Sequence, residues 1–441
     1  MMNEKDRLDL AEWAMKHALK SGATEAAVHL GSERNVEVEF RDRKIDKLRE
    51  YQQSRLNLDV YVDGRFSANS TNDLRKESLA RFIEDAVAAT KYLTRDEYRS
   101  LPDPKYYPGE TEGDLKIYDP GYDKIEARDR VRIAEEIEAA AMAESDKIIS
   151  TTASYSDTSS EAIQVHSNGF VGGSRGTAFS AEADVTVGDP DGGRPDDWAG
   201  ADTRFRRDLP PPSELGKTAA TRAVARIGQK KIASGQYDCI VENRSGRRLF
   251  FLLREPLSGR ALQQKNSFLD GMIGKQIGSP AFTAIDDPTL EKGLGSRFFD
   301  DEGLAARKRP LIEKGFLRNY YIDTYYGRKL GVEPTTGGPS NVVFEYGSKS
   351  LEEIVKDVEN GILVQDFIGG NSNSTTGDFS VGVIGVLIEN GERTTPVHEM
   401  NISGNIRDLL DRLAAVGNDP FLYSSVRTPS MLFEGIHFSG I

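Results

Sequence analysis

The sequence contains one cysteine, Cys239, among 441 residues, so no intrachain disulfide can form and stability must come from packed cores in a reducing compartment. Long apolar runs are missing as well. Nowhere do the roughly 18 consecutive apolar residues of a membrane-spanning helix occur, and Asn3-Glu4-Lys5-Asp6-Arg7 is charged where a secretion signal needs an apolar stretch. A cytoplasmic protein with no membrane partner is expected. With a net charge of −13 and no basic cluster of the kind that neutralises a nucleic-acid backbone's phosphates, the chain has no electrostatic basis for a nucleic-acid partner; the charge serves solubility. Histidine is scarce too. His17, His29, His166 and His437 share no ligand spacing, and His398-Glu399 fails as a zincin motif because Ile402 and Ser403 follow at the fourth and fifth positions.

What is present is enough apolar residue, 38%, spread along a chain long enough for two domains. Leu8, Ala11, Met15 and Ala18 fall on one helical face, and Gly22 follows where a left-handed residue would end the helix. Val36, Val38 and Phe40 then alternate with Glu37 and Glu39. Leu56 to Val62 alternates likewise before Asp63-Gly64, a hairpin turn signal. Thr71-Asn72-Asp73 offers caps for a second helix with the apolar stripe Leu79, Phe82, Ile83, Ala86 and Val87, and a third helix is expected from about Asp123 to Ser145. Strands flank Asn168-Gly169, and another covers Ala181 to Val187. The Gly-, Asp- and Arg-rich stretch Asp189 to Asp208 reads as a loop. Pro210-Pro211-Pro212 then stiffens the chain before a helix capped by Ser213.

Beyond that boundary, Tyr237 to Val241 reads as a strand holding Cys239 as a small core residue. Short apolar runs punctuated by glycine follow: Gly315 to Tyr326, Ser340 to Tyr346, Gly361 to Ile368 and Asp378 to Ile388. The expected fold is α+β, with an N-terminal domain of antiparallel sheet and helices (residues 1–225) and a C-terminal domain of mostly antiparallel β with a few helices (residues 226–441). Gly369 to Gly377 is no phosphate cradle, because no Lys follows its last glycine as a Walker loop requires; no cofactor is expected. Asn371, Ser372, Asn373 and Ser374 within it either hydrogen-bond the main chain of an extended peptide or cap their own turns.

Several phrases together resemble the TldD/PmbA family, and within it the PmbA branch, also called TldE. They are Asn266-Ser267-Phe268-Leu269-Asp270, Asp300-Asp301-Glu302-Gly303, Gly315-Phe316-Leu317, the run from Gly369 to Ser380, Asn401-Ile402-Ser403-Gly404-Asn405 and the N-terminal Val62-Asp63-Gly64-Arg65. In the TldD branch the resemblance implies a zinc peptidase with His-Glu-x-x-x-His on a helix and a cysteine ligand near the C-terminus. The matching segment here is Leu252 to Gly259, where Arg254 and Gly259 stand at the histidine positions and Glu255 persists. Neither guanidinium nor glycine can ligate zinc, and the tail from Gly417 to Pro429 has no thiol. The resemblance therefore implies a metallopeptidase-family member without its own zinc site, pairing either with a TldD-like zinc peptidase subunit or with itself, with peptides as substrate. Two other readings stay open: a stand-alone homodimeric peptidase with an unrecognised site, and a peptide-binding module that uses an exposed sheet edge.

Overall fold

The computed structural model describes residues 2–109 and 113–441. The N-terminal half is one six-stranded antiparallel sheet with four helices. Its strands are β1 (Glu25–Arg41), β2 (Lys44–Val62), β3 (Arg65–Thr71), β4 (Ile148–His166), β5 (Val171–Val187) and β6 (Asp196–Thr203), ordered β3-β2-β1-β4-β5-β6. Both expected hairpin turns form: Asp63 and Gly64 have φ of 49° and 75°, the paired left-handed geometry that a two-residue turn demands.

Helix α1 (Glu4–Lys20) starts where the Asn3 side chain accepts the Asp6 N–H at 2.8 Å and stops before Gly22, whose φ is +107°. α1 and α2 (Lys76–Thr90) cover Val28, Leu30, Leu56, Leu58 and Val60. Farther along the same strands and on the same face, α3 (Ala127–Met142) and α4 (Pro212–Val224) cover Val38, Phe40, Tyr155 and Phe179. The long strands thus carry two helix pairs side by side, each closing its own apolar core.

The structure corrects three local expectations in this half. Asp189 to Asp208 is not all loop, since it contains β6: Ala199 and Ala201 point into the helix-covered layer, and Asp197 is buried against arginines that the local sequence does not reveal. Helix α2 begins at Lys76 with no side-chain cap, because the Asp73 carboxylate is taken by Arg75 instead. Helix α4 starts at Pro212, the first helical position that proline favours, rather than after a Ser213 cap.

The C-terminal half supplies β7 (Gly235–Val241), α5 (Arg247–Arg254), α6 (Gly259–Gln263), β8 (Ala284–Asp286), β9 (Arg309–Glu313), β10 (Phe316–Leu317), α7 (Thr324–Leu330), β11 (Val342–Phe344), α8 (Leu351–Lys356), β12 (Asn360–Ser372), β13 (Asp378–Glu389), β14 (Glu392–Asn405), α9 (Ile406–Asp411), β15 (Leu413–Val416), β16 (Val426–Arg427) and β17 (Met431–Ser439). Gly315 to Tyr326, expected as strand, yields only the two residues of β10 before the chain turns into α7. The larger sheet runs β14-β13-β12-β7-β17-β15. A further pairing of β14 with β17 closes it into a ring around Val241, Ile362, Val364, Val383 and Phe433. Strands β7 and β12 pair in parallel and the others antiparallel. Cys239 sits in β7, fully buried. Among the described residues no helix is long and apolar enough to cross a membrane.

The two halves meet at a buried ion cluster. Asp197 of β6 accepts from Arg244 Nη2 at 2.5 Å and from Arg222 Nε at 3.2 Å, with Arg226 at 3.9 Å, while Glu242 takes Arg222 in a two-pronged contact at 2.7 and 2.8 Å. Arg244 also donates to the Trp198 carbonyl and lies over the Trp198 ring, 4.5 Å from its centroid. Removing one partner from such a cluster strands the opposite charges in a poorly solvated place. Asp197→Ala is therefore expected to cost about 3–5 kcal/mol in urea unfolding; a loss within experimental error would show that the cluster does not hold the halves together.

Candidate functional site

Leu249, Phe250, Leu252 and Leu253 bury one face of α5 in the C-terminal core. This leaves Arg247, Phe251 and Arg254 exposed on the other face, the helical spacing that separates a core stripe from a solvent stripe. The chain then turns through Glu255 to Leu257 into α6, whose start is capped by the Ser258 hydroxyl accepting the Ala261 N–H at 3.1 Å. The three positions singled out by the resemblance lie along this corner.

Arg254 faces solvent. The Glu255 carboxylate accepts from Arg260 at 3.0 Å, both side chains being largely exposed. Gly259 is buried, and its N–H donates to the Tyr321 carbonyl at 2.7 Å. A Cβ added at Gly259 would lie 2.9 Å from the Tyr326 Cβ and 3.4 Å from the Ile322 Cα. The space a side chain would need is filled by α7 and the segment leading into it. These residues do not fit a zinc ion: position 254 offers no lone pair, position 259 offers neither a donor nor room, and Glu255 is engaged with a neighbouring cation. Among the described residues, no group of three or more His, Cys, Asp or Glu stands close enough to hold a metal ion.

Helix α7 is held in that position by the acidic turn Asp300-Asp301-Glu302-Gly303. Glu302 accepts from both the N–H and the hydroxyl of Thr324 at 2.8 Å. Asp300 accepts from the N–H groups of Glu302 and Leu304 at 3.0 Å and from Thr336 at 2.8 Å. Burial pushes Glu302 up to about 7, against the pull of its bonds to Thr324.

Asn371, Ser372, Asn373 and Ser374 come together at the tip of the β12–β13 hairpin. Asn373 closes the turn, its side-chain oxygen accepting from Thr375 N at 2.9 Å and its carbonyl from Gly377 N at 2.8 Å. Ser374 accepts the Phe268 N–H through its carbonyl at 2.9 Å. Asn371 and Ser372 form the last rungs, opposite Ser380 and Phe379, and Asn371 lines a groove of about 550 Å³ with Ile368, Glu399 and Asn401. The bulge between Ile368 and Asn371 depends on Gly369 and Gly370, with φ of 53° and 94°.

Long-range folding adds residues that the sequence does not reveal. Strand β12 pairs with β7 only from Gly361 to Val364, so from Asp366 onward one of its edges has no neighbouring strand among the described residues. Arg248 of α5 donates to the Gly369 carbonyl at 2.6 Å on that stretch. A cavity of about 670 Å³ adjoins it, lined by Asp191, Arg194, Trp198, Arg226, Phe367 and His398. The histidines join no metal-holding group among the described residues: His17 contacts Glu84 at 3.0 Å, His29 lies opposite Gln164, and His166 is buried between Gln164 and Tyr107, where burial alone lowers it to about 4. Glu399 pairs with Lys231 at 3.1 Å.

Comparison with known proteins supplies the remaining evidence. The models of the PmbA/TldA metallopeptidase family match residues 26–90 as domain 1, residues 120–227 as the central domain and residues 234–440 as the C-terminal domain. A protein named metalloprotease PmbA from Escherichia coli O157:H7 is 28% identical over 427 residues, covering 96% of this chain and 94% of that protein. A crystal structure from Bacteroides thetaiotaomicron, named as a modulator of DNA gyrase, is 41% identical over all of both chains with a TM-score of 0.97. The structure of TldE from Thermococcus kodakarensis, 22% identical, shares the fold with a TM-score of 0.86 across 98% of this chain and all of that one.

Two outcomes test this geometry. Gly259→His is expected to lose about 1–3 kcal/mol in denaturant unfolding through overpacking against Tyr326 and to bind no zinc by elemental analysis; a stable variant that takes up the metal would contradict the packing argument. Glu302 titrates near 7 in the folded chain, above its ordinary 4.5, so its contribution is present at acidic pH and is lost as pH rises through 7. The stability of Glu302→Gln relative to the parent should therefore grow between about pH 5 and pH 8, by up to roughly 3 kcal/mol. Thermal unfolding at a series of pH values reads this, and parallel curves for the two proteins would refute it.

Proposed function

Because the chain belongs to the PmbA/TldD metallopeptidase family, we propose that it is a metal-free, PmbA/TldE-like subunit that pairs with a TldD-type zinc metallopeptidase in the proteolysis of small or unfolded peptides. The observation that carries this reading is the packed corner at Gly259. A site that had merely lost its ligands would leave a hollow, whereas here Tyr326 occupies the place and Arg260 occupies the carboxylate. The rest of the scaffold is complete. In this reading the partner supplies the zinc-activated water, and this chain contributes walls to the chamber, a peptide-facing edge and the contacts that orient its partner, in the cytoplasm they share.

The open edge of β12 supports the peptide part of the proposal. Main-chain groups without a strand partner on one side accept an extended peptide irrespective of its side chains; a peptide here would displace Arg248 from the Gly369 carbonyl, and Asn371 and Ser372 lie at the end of that edge. A second reading, a stand-alone homodimeric peptidase, is favoured by the name of the Escherichia coli relative, a metalloprotease.

Co-expression with a TldD-type subunit separates the two. The first reading expects co-elution in size-exclusion chromatography, substoichiometric zinc in the isolated chain, and cleavage of unstructured peptides only when the partner is present. Separate elution with no effect on cleavage would reject it, and stoichiometric zinc with hydrolysis by the isolated chain would establish the second.

A further inference from the structure

Arg309 opens β9 directly across from Asp286 of β8, the register at which a cross-strand ion pair would be expected. The carboxylate turns away instead: Asp286 accepts from the N–H of Ser340 at 2.9 Å and from its hydroxyl. The neighbouring Lys308 neutralises Asp287 at 2.8 Å. Arg309 is left with Nη1 buried and without a hydrogen-bond partner, and burial holds its pKa below that of an ordinary arginine. Within electrostatic reach of it lie two more buried groups without partners, Arg297 Nε and the Tyr321 hydroxyl. Asp286 and Asp300 also act on it through space, but both carboxylates already accept hydrogen bonds from other groups.

In front of Arg309 lies a cavity of about 310 Å³, lined by Tyr106, Arg307, Lys308, Arg309, Pro334 and Thr335 among others. Three cationic side chains reach it, and among the described residues no carboxylate lines it, in a chain whose net charge is −13. Glu333 stands beside it, 72% exposed and tied to Lys105 and the Tyr106 hydroxyl. A buried guanidinium N–H without a hydrogen-bond partner is unfavourable unless something completes it, and the planar fork matches the two oxygens of an oxyanion. We infer that this cavity is a binding site for a small oxyanion, a carboxylate or a phosphate, gripped by Arg309 from within and by Arg307 at the mouth. The volume is at the low end for small-molecule sites, which suits an inorganic ion or a short acid. Thr335 lines the cavity and also holds the main chain of Tyr320 and Ile322 at 2.7 and 2.9 Å. An occupant would therefore bear on the same segment that backs Gly259.

The test titrates the full chain, purified free of oxyanions, with inorganic phosphate or with acetate at constant ionic strength, following melting temperature and heat of binding. A saturable rise in melting temperature is expected, the two probes distinguishing phosphate from carboxylate. Arg309→Leu should lose the response while still unfolding cooperatively in oxyanion-free buffer, because it removes the guanidinium whose Nη1 has no partner. Arg307→Gln, on the exposed rim, should weaken the response without altering the melting temperature of the free protein. No saturable effect of either probe, or an undiminished effect in Arg309→Leu, would overturn the inference.

Discussion

The structure depends on two carboxylates and three guanidinium groups buried together, Asp197 and Glu242 with Arg222, Arg226 and Arg244. These charges have lost most of their water, and their mutual contacts, the carbonyls of Asp196 and Trp198, the Trp198 N–H and the Gln229 side chain compensate for it. The geometry links an edge strand of the first sheet, a helix lying on that sheet and the end of β7, where the C-terminal half begins. Because Arg244 lies three residues before α5, the cluster also fixes where that helix starts and hence the exposed stripe of Arg247, Phe251 and Arg254.

From α5 the constraint passes outward through ordinary packing. Ser258 pairs with Tyr321 and Gly259 donates to it, α7 follows at once, and Glu302 grips the first residue of α7. The corner that the zinc branch of the family is expected to use for catalysis is here a close-packed joint between two short helices. A glycine serves a joint of this kind best, since any larger side chain would push the helices apart.

Much of this was legible wherever the determinants are local. The first helix, the turns at Asp63-Gly64 and Asn168-Gly169, and the strands at Tyr237 to Val241 and Asp378 to Ile388 follow from period and turn chemistry within a few residues. β6 was not legible, because its Asp197 reads as one more loop acid until arginines about 25 and 47 positions away arrive. Gly315 to Tyr326 misled for the opposite reason: its apolar residues are buried by tertiary contacts with the core rather than by membership of a sheet. For the candidate site, the phrases shared with the family located Arg254, Glu255 and Gly259, but nothing near them announced Tyr326. Arg309 sits in an unremarkable Arg-Lys-Arg triplet, and only the fold reveals which of the three goes inward without a companion.

The length of the first sheet carries a consequence of its own. Val28 and Val38 serve separate apolar cores yet belong to one uninterrupted strand, which is laddered to β4 from Ala27 opposite His166 to Arg41 opposite Thr152. Neither core can loosen without fraying the floor of the other, so the two helix pairs are thermally and mechanically a single body although their sequences are far apart.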